Sequence, residues 1–330
     1  MIASIGMPSG LVVLGCGWIA QRHAAAARRL RLPLIFASRD VARARAFARR
    51  YRALAAYGNY AEAVRDPRAD GVIVCTPHDR HAADVRLALD AGKHVLVEKP
   101  IARTLAEADD MIGAAESVRR VLMVAEQFHF MPAFRQVDAL IAGGRLGHLR
   151  ELHLIARGFA RRTGWRLDRD RMGGGALIDG GIHYVHNLRW WAGSVRRVFA
   201  LRPPPTVDMG GEDAIAVLAE VAGGAVGFVS NSLGSPGLPK FQWSTVTGAR
   251  ASCFVDNRGR FVIVRGGGRP SIRWYRRDTR GYEAMLTAFR EAITRGKAAE
   301  MDGASGREDL AIVLAVYRSL AERAPIEVPC

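Results

Sequence analysis

Short apolar runs alternate with helically spaced stretches along the first 125 residues. Leu11-Val12-Val13-Leu14, Pro33 to Ser38, Gly71 to Cys75, His94 to Val97 and Val121 to Val124 read as buried strands. Between them, the alanine-rich stretch up to about Leu30 carries helical spacing, as do Val41 to Tyr51, Ala61 to Arg65, Asp79 to Ala91 and Leu105 to Ser117. Strands that alternate with helices predict a doubly wound parallel sheet, which receives ligands at the carboxyl ends of its strands. From Glu151 the period drops to two, with Leu152, Leu154 and Ala156 alternating with His153, Ile155 and Arg157. Further strands are expected at Arg197 to Leu201, Ala214 to Glu220, Ala225 to Ser230, Trp243 to Thr247, Ala251 to Val255, Phe261 to Arg265 and Ile272 to Tyr275. Turns at Gly223-Gly224, Gly248 and Asn257-Arg258-Gly259 separate several of these, which favours a meandering antiparallel sheet. Helices near Tyr282 to Arg295 and Gly306 to Glu322 finish the chain. One sheet face must bury against helices, including Ala176 to Trp191, and the other is left for a partner subunit.

The first apolar run ends in Gly15-Cys16-Gly17-Trp18-Ile19-Ala20 and leads into a helix, the setting that gives a GxGxxA pattern meaning. Gly15 suits the tight turn, Gly17 lets backbone approach a pyrophosphate, and Ala20 keeps the helix close to the sheet. Trp18 and Ile19 belong to the same phosphate-facing turn. The fold class expected is therefore α/β: an N-terminal Rossmann sheet over residues 1–125, then an α+β domain over 126–330 with an open, mainly antiparallel sheet. The second strand ends Ala37-Ser38-Arg39, where an NAD enzyme usually places an acid. A hydroxyl followed by a guanidinium suits a 2′-phosphate, so NADP is favoured over NAD, with Asp40 left as the alternative that reaches a ribose. The other strand ends contribute Thr76 and Pro77, Glu98-Lys99-Pro100, and Glu126-Gln127.

Composition narrows the classes. A hydrophobic share of 49% in 330 residues fits a globular chain with two cores, and no apolar run reaches the roughly 20 residues of a membrane helix. Residues 1–10 lack a signal-peptide pattern and read as a short tail, and Cys16, Cys75, Cys253 and Cys330 show neither CxxC nor zinc spacing. A reduced, cytoplasmic setting is the simplest expectation. The net charge of +16 comes from arginine, because Lys93, Lys99, Lys240 and Lys297 are the only lysines. The arginines are spread along the chain without a nucleic-acid-binding motif, so no nucleic-acid partner is expected.

The run Gly173-Gly174-Gly175-Ala176-Leu177-Ile178-Asp179-Gly180-Gly181-Ile182-His183 places an acid and an imidazole four residues apart on a helix. At that spacing side chains share a face, and Asp179 is expected to orient His183 for proton transfer near neutral pH. His186, three residues further on, reads as a core or surface histidine, with no metal expected.

The segment around Thr76-Pro77, His81 and Ala91-Gly92-Lys93-His94-Val95-Leu96-Val97-Glu98-Lys99-Pro100, with the later Gly-rich motif, resembles the glucose–fructose oxidoreductase / inositol dehydrogenase / rhizopine catabolism family. The resemblance runs from about Leu11 to the C-terminus. It implies hydride transfer between a nicotinamide cofactor and a hydroxyl or carbonyl carbon of a sugar, polyol or cyclic diol. The Ser38-Arg39 pair is similar to the dihydrodiol and xylose dehydrogenase branch, which leans to NADP. Lys99, Asp179 and His183 are then the catalytic candidates, with His183 as base and Lys99 on the same oxygen, although these two can exchange roles. Gly15, Gly17, Trp18, Ile19, Ser38, Arg39, Thr76, Pro77, His81, Glu98, Lys99 and Gln127 are expected at the cofactor. Trp165 and Arg166 are expected at the substrate, and a homodimer or homotetramer through the C-terminal sheet is implied. Two alternatives share the same residues: an NAD-retaining glycosidase of the family and a non-catalytic dinucleotide sensor.

Overall fold

Every residue of the first strand, β1 (Gly10–Leu14), is buried, as the continuous apolar run requires of a strand covered on both faces. The structure is a computed structural model that describes residues 10–236, 241–296 and 298–329. The expected tail up to Ser9, with Lys240, Lys297 and Cys330, lies outside the described residues.

In chain order the first unit adds α1 (Trp18–Arg29), β2 (Leu34–Ala37), α2 (Val41–Tyr51), β3 (Ala55–Tyr57), α3 (Tyr60–Val64), β4 (Ala69–Val74), α4 (His81–Asp90), β5 (His94–Glu98), α5 (Leu105–Ser117) and β6 (Leu122–Ala125). Its six strands are parallel in the order β3-β2-β1-β4-β5-β6. The order reverses between β1 and β4, so their carboxyl ends form the switch point where such sheets take ligands. β3 was not expected from the sequence; it is three half-buried residues long and has no apolar run to betray it.

The second unit holds α6 (Pro132–Ala142), β7 (Leu149–Arg157), α7 (Arg169–Met172), α8 (Ile182–Ala192), β8 (Val195–Leu201), β9 (Ala214–Val221), β10 (Val226–Ser232), β11 (Phe241–Gly248), β12 (Ala251–Asp256), β13 (Phe261–Gly266) and β14 (Ser271–Trp274). After α9 (Tyr282–Arg295), the chain ends in α10 (Gly303–Glu322) and β15 (Ile326–Glu327). The nine-stranded sheet runs β14-β13-β12-β11-β7-β10-β9-β8-β15, antiparallel except where β10 lies parallel to β7. One face packs against α6 and α8. The other carries rings stacked across neighbouring strands: Trp243 to Phe254 at 5.9 Å, Phe254 to Phe261 at 6.0 Å and Phe261 to Trp274 at 4.8 Å.

One expectation is corrected. Residues 282–306 were read as part of the second domain, but they belong to the first unit, together with residues up to 102 and 106–125. The reason is packing of α9 on α1. Tyr282 meets His23 edge-on at 5.6 Å, Arg29 pairs with Glu283 at 2.8 Å, and the Phe289 ring fills the space a side chain at Gly71 would need.

Candidate active site

The first unit builds a dinucleotide cradle. Gly15 follows β1 with φ +92°, and a Cβ there would lie 2.8 Å from the Cys75 carbonyl, so only glycine fits the turn. Nothing lies within 4 Å of where a Gly17 Cβ would stand. Helix α1 starts at Gly17 with no side-chain cap and no acid in its first turn, which leaves its amides and dipole for an anion. Across the switch point, the Thr76 hydroxyl oxygen is buried without a hydrogen-bond partner. These features fit a dinucleotide. Trp18 is 65% exposed, and the Arg22 guanidinium sits over its ring at 5.0 Å. Ile19 is half-buried in the first turn of α1. At the end of β2, Ser38 is buried and its hydroxyl accepts from the Asp40 amide at 3.2 Å, while Arg39 is exposed. The Asp40 carboxylate accepts from the Arg43 amide at 3.2 Å and thereby caps α2.

The strand-end histidine is a correction. His81 was expected at the cofactor, yet it is fully buried and both ring nitrogens face backbone carbonyls, Pro100 O at 2.8 Å and Thr76 O at 3.0 Å. Burial dominates over those carbonyls and lowers its pKa, so one nitrogen carries the single proton of a neutral ring. His81 thus positions the Thr76-Pro77 turn against the cis Lys99-Pro100 turn and has no edge left for a ligand. Glu98 is likewise engaged: its carboxylate meets the Nε2 of His23, a fully buried α1 residue, at 2.7 Å. Lys99 follows at the end of β5, half-buried.

The second unit brings the candidate base and two acids together, but not as the spacing suggested. The acid on His183 is Glu126. Its oxygens lie 2.6 Å and 2.7 Å from His183 Nδ1, and it also accepts from the Phe128 amide at 3.0 Å. Burial opposes charge on Glu126 most strongly, yet His183, His186 and the Phe128 amide together hold its carboxyl below the ordinary value. Phe128 lies flat on the His183 ring, centroids 4.3 Å apart. Asp179 faces guanidinium groups instead: Arg162 Nη2 donates at 3.0 Å and Arg166 Nε at 3.1 Å. The physical reason lies in the turn between them. Residues Leu177–Gly181 form a π-helical turn, which widens the coil and takes Asp179 out of α-helical register with His183.

The glycine run is packed rather than flexible. A side chain at Gly174 would strike the Tyr317 ring, and one at Gly175 would strike Glu212. The Glu212 carboxylate accepts from the Leu177 amide at 2.8 Å and from the Tyr317 hydroxyl at 3.1 Å, fixing the start of the π turn. Trp165 and Arg166 sit in a 3-10 turn at Gly164–Leu167, with the guanidinium 4.3 Å over the indole. Gln127 is buried in the 3-10 turn that follows Glu126. Below, Asp309 accepts from His186 Nδ1 at 2.9 Å and from Arg189 Nε at 2.7 Å, while His186 Nε2 meets His129 Nδ1 at 3.2 Å. Among the described residues no group of three His, Cys, Asp or Glu side chains is placed to hold a metal.

Comparison with known proteins gives the same picture. Residues 10–126 match the family model described as "Oxidoreductase family, NAD-binding Rossmann fold", and residues 134–253 match "GFO/IDH/MocA C-terminal domain". Trans-1,2-dihydrobenzene-1,2-diol dehydrogenase of Mus musculus is 32% identical over 210 residues, 60% of each chain. The Homo sapiens counterpart is 39% identical over 152 residues, 45% of this chain and 44% of that one. The chain thus spans at most 60% of the length of these curated relatives. Levoglucosan dehydrogenase in complex with NADH superposes with a TM-score of 0.89 at 21% identity, over 97% of this chain and 99% of that one. Aldose-aldose oxidoreductase from Caulobacter crescentus, complexed with glycerol, gives 0.88 at 25% identity over 97% and 100%.

Proposed function

Because the chain belongs to the Gfo/Idh/MocA family of oxidoreductases with an NAD-binding Rossmann fold, we propose that it is a dehydrogenase acting on a hydroxyl-bearing carbon of a sugar, polyol or cyclic diol. The observation that carries this reading is the contact of Glu126 with His183 Nδ1. A carboxylate accepts only, so Nδ1 donates and the lone pair is left on Nε2. When bound, a nicotinamide supplies the hydride chemistry. His183 takes the hydroxyl proton at Nε2, and Glu126 stabilises the positive ring that results. Lys99 hydrogen-bonds the same oxygen and stabilises the charge that develops on it. The relatives and the fold support this class; a spectrophotometric screen of aldoses, polyols and dihydrodiols with NADP and NAD tests it, and absence of turnover with every one would reject it.

NADP is the favoured cofactor. Support comes from exposed Arg39 beside Ser38, and from Asp40, whose carboxylate is occupied with the α2 amide. A charge-assisted hydrogen bond to a 2′-phosphate contributes about 1.5–3 kcal/mol. Arg39→Ala should therefore weaken NADP binding roughly 10- to 100-fold and leave NAD binding within about twofold. Fluorescence titration of the reduced cofactors checks this, and an unchanged NADP preference would remove Arg39 from the site.

The open face of the nine-stranded sheet is read as the contact with a second copy of the chain, in a homodimer or homotetramer. Trp274 is 62% exposed there on β14, and Leu218 and Leu201 are 50% and 60% exposed on β9 and β8 towards the other edge, so large apolar side chains meet water at both ends of this face. Light scattering during size-exclusion chromatography should show an oligomer for the native chain and a smaller species for Trp274→Glu. Equal masses would count against this face.

A further inference from the structure

We infer that the substrate carries an oxyanion close to the hydroxyl that reacts, and that Arg162 and Arg166 bind it. The inference deepens the dehydrogenase reading and rests on it for the identity of the reacting hydroxyl.

Arg162 and Arg166 both pair with one carboxylate, that of Asp179, which is only 5% exposed, so these three groups together carry a net positive charge. Asp168, Glu212 and Glu126 are committed to other partners. Asp168 uses its carboxylate on the Asp170 and Arg171 amides to cap α7, Glu212 is held by the Leu177 amide and the Tyr317 hydroxyl, and Glu126 is held by His183. The same loop adds Arg161, Arg169 and Arg171.

The donor count agrees. A guanidinium has five N–H groups in a rigid fork. Arg166 points Nε at both Asp179 oxygens at 3.1 Å, and Arg162 reaches Asp179 through Nη2. The Arg162 Nε is buried with no hydrogen-bond partner, an unmet donor beside a charged pair. Yet the two side chains stay 28% and 35% exposed, so their outer edges are open to a ligand. Arg166 is also held in place: the Trp165 indole backs its guanidinium, and the Gly210 amide donates to its carbonyl at 3.1 Å. A fixed fork with surplus charge favours a planar or tetrahedral oxyanion over a neutral hydroxyl, because charge-assisted hydrogen bonds are roughly twice as strong.

Position names the class. Asp179 and His183 lie four residues apart on one continuous segment, the π turn and α8, which limits how far the arginines on Asp179 can stand from the imidazole even though the two side chains are out of α-helical register. An anion at the arginines therefore belongs to the molecule whose hydroxyl His183 deprotonates: a sugar acid or a sugar phosphate rather than a plain hexose.

The test compares matched compounds on the whole protein with NADP: glucose, glucuronate and glucose 6-phosphate, and galactose with galacturonate. The acids or the phosphate should exceed the neutral hexoses in kcat/KM by about tenfold or more. The carboxylate and phosphate arms tell the two sources apart. Arg162→Gln and the milder Arg166→Lys should lower kcat/KM for the anionic compound about tenfold or more beyond whatever they cost the neutral hexose, so that the native preference for the anion disappears. Isothermal titration of the native protein reads binding without turnover. Saturable binding of the anionic sugar alone, even with no turnover, keeps this inference while rejecting the dehydrogenase reading. Turnover of neutral hexoses with no preference for the acids, or an equal loss on both classes in the variants, overturns it.

Discussion

His183→Asn is expected to lower kcat/KM by about 100- to 10 000-fold while dinucleotide affinity stays within about twofold. Asparagine keeps an N–H near the position of Nδ1 and so retains a donor for Glu126. It has no second nitrogen that accepts a proton. With dinucleotide affinity kept, the loss reports proton transfer and not collapse of the pocket. Steady-state kinetics and cofactor titration on the same preparation check both halves. A variant that retains native turnover would leave His183 a structural residue.

Glu126→Gln is expected to lower kcat by about 100- to 1000-fold. The amide has both a donor and an acceptor, so it no longer compels Nδ1 to hold the proton, and it carries no charge to balance a protonated ring. The same change has a pH signature in stability. Glu126 is fully buried with its pKa lowered, so its stabilisation is complete above the unfolded carboxyl value of about 4.3 and is lost as pH falls through the lower folded value. Asp309 behaves likewise, since His186 and Arg189 outweigh its burial. The difference in Tm between the native chain and Glu126→Gln should be widest above about pH 5 and narrow below about pH 4. A difference that stays constant across this range would deny the charge on Glu126.

Parallel strands were legible because a strand buried on both faces must be apolar throughout; β1, β2 and β5 follow their runs to within a residue or two. The helices α2 and α5 begin and end where spacing and composition place them. Helix α6 carries a start signal in Pro132 at its first turn, but Phe128, Phe130 and Met131 just before it blur where its apolar spacing begins. The sites divide along the same line. The turn at Gly15 is readable because its geometry is local. The partner of His183 is not, since Glu126 lies 57 residues away and only folding brings the two together. An acid directly after the strand ending at Ala125 was the one available hint. In an α-helix the i,i+4 spacing would bring Asp179 to His183, and the π turn removes that register. For His81, a motif position says nothing of burial, and burial decides its role.

The most direct test of the account is the protonation state of the His183 ring. Nitrogen-15 NMR of ring-labelled protein, with the His183→Asn spectrum to assign the signal, reads which nitrogen of the neutral imidazole bears hydrogen. A carboxylate at 2.6 Å from Nδ1 predicts the proton there and a lone pair on Nε2. A neutral ring protonated on Nε2 instead would contradict it, because no basic nitrogen would then face the substrate hydroxyl.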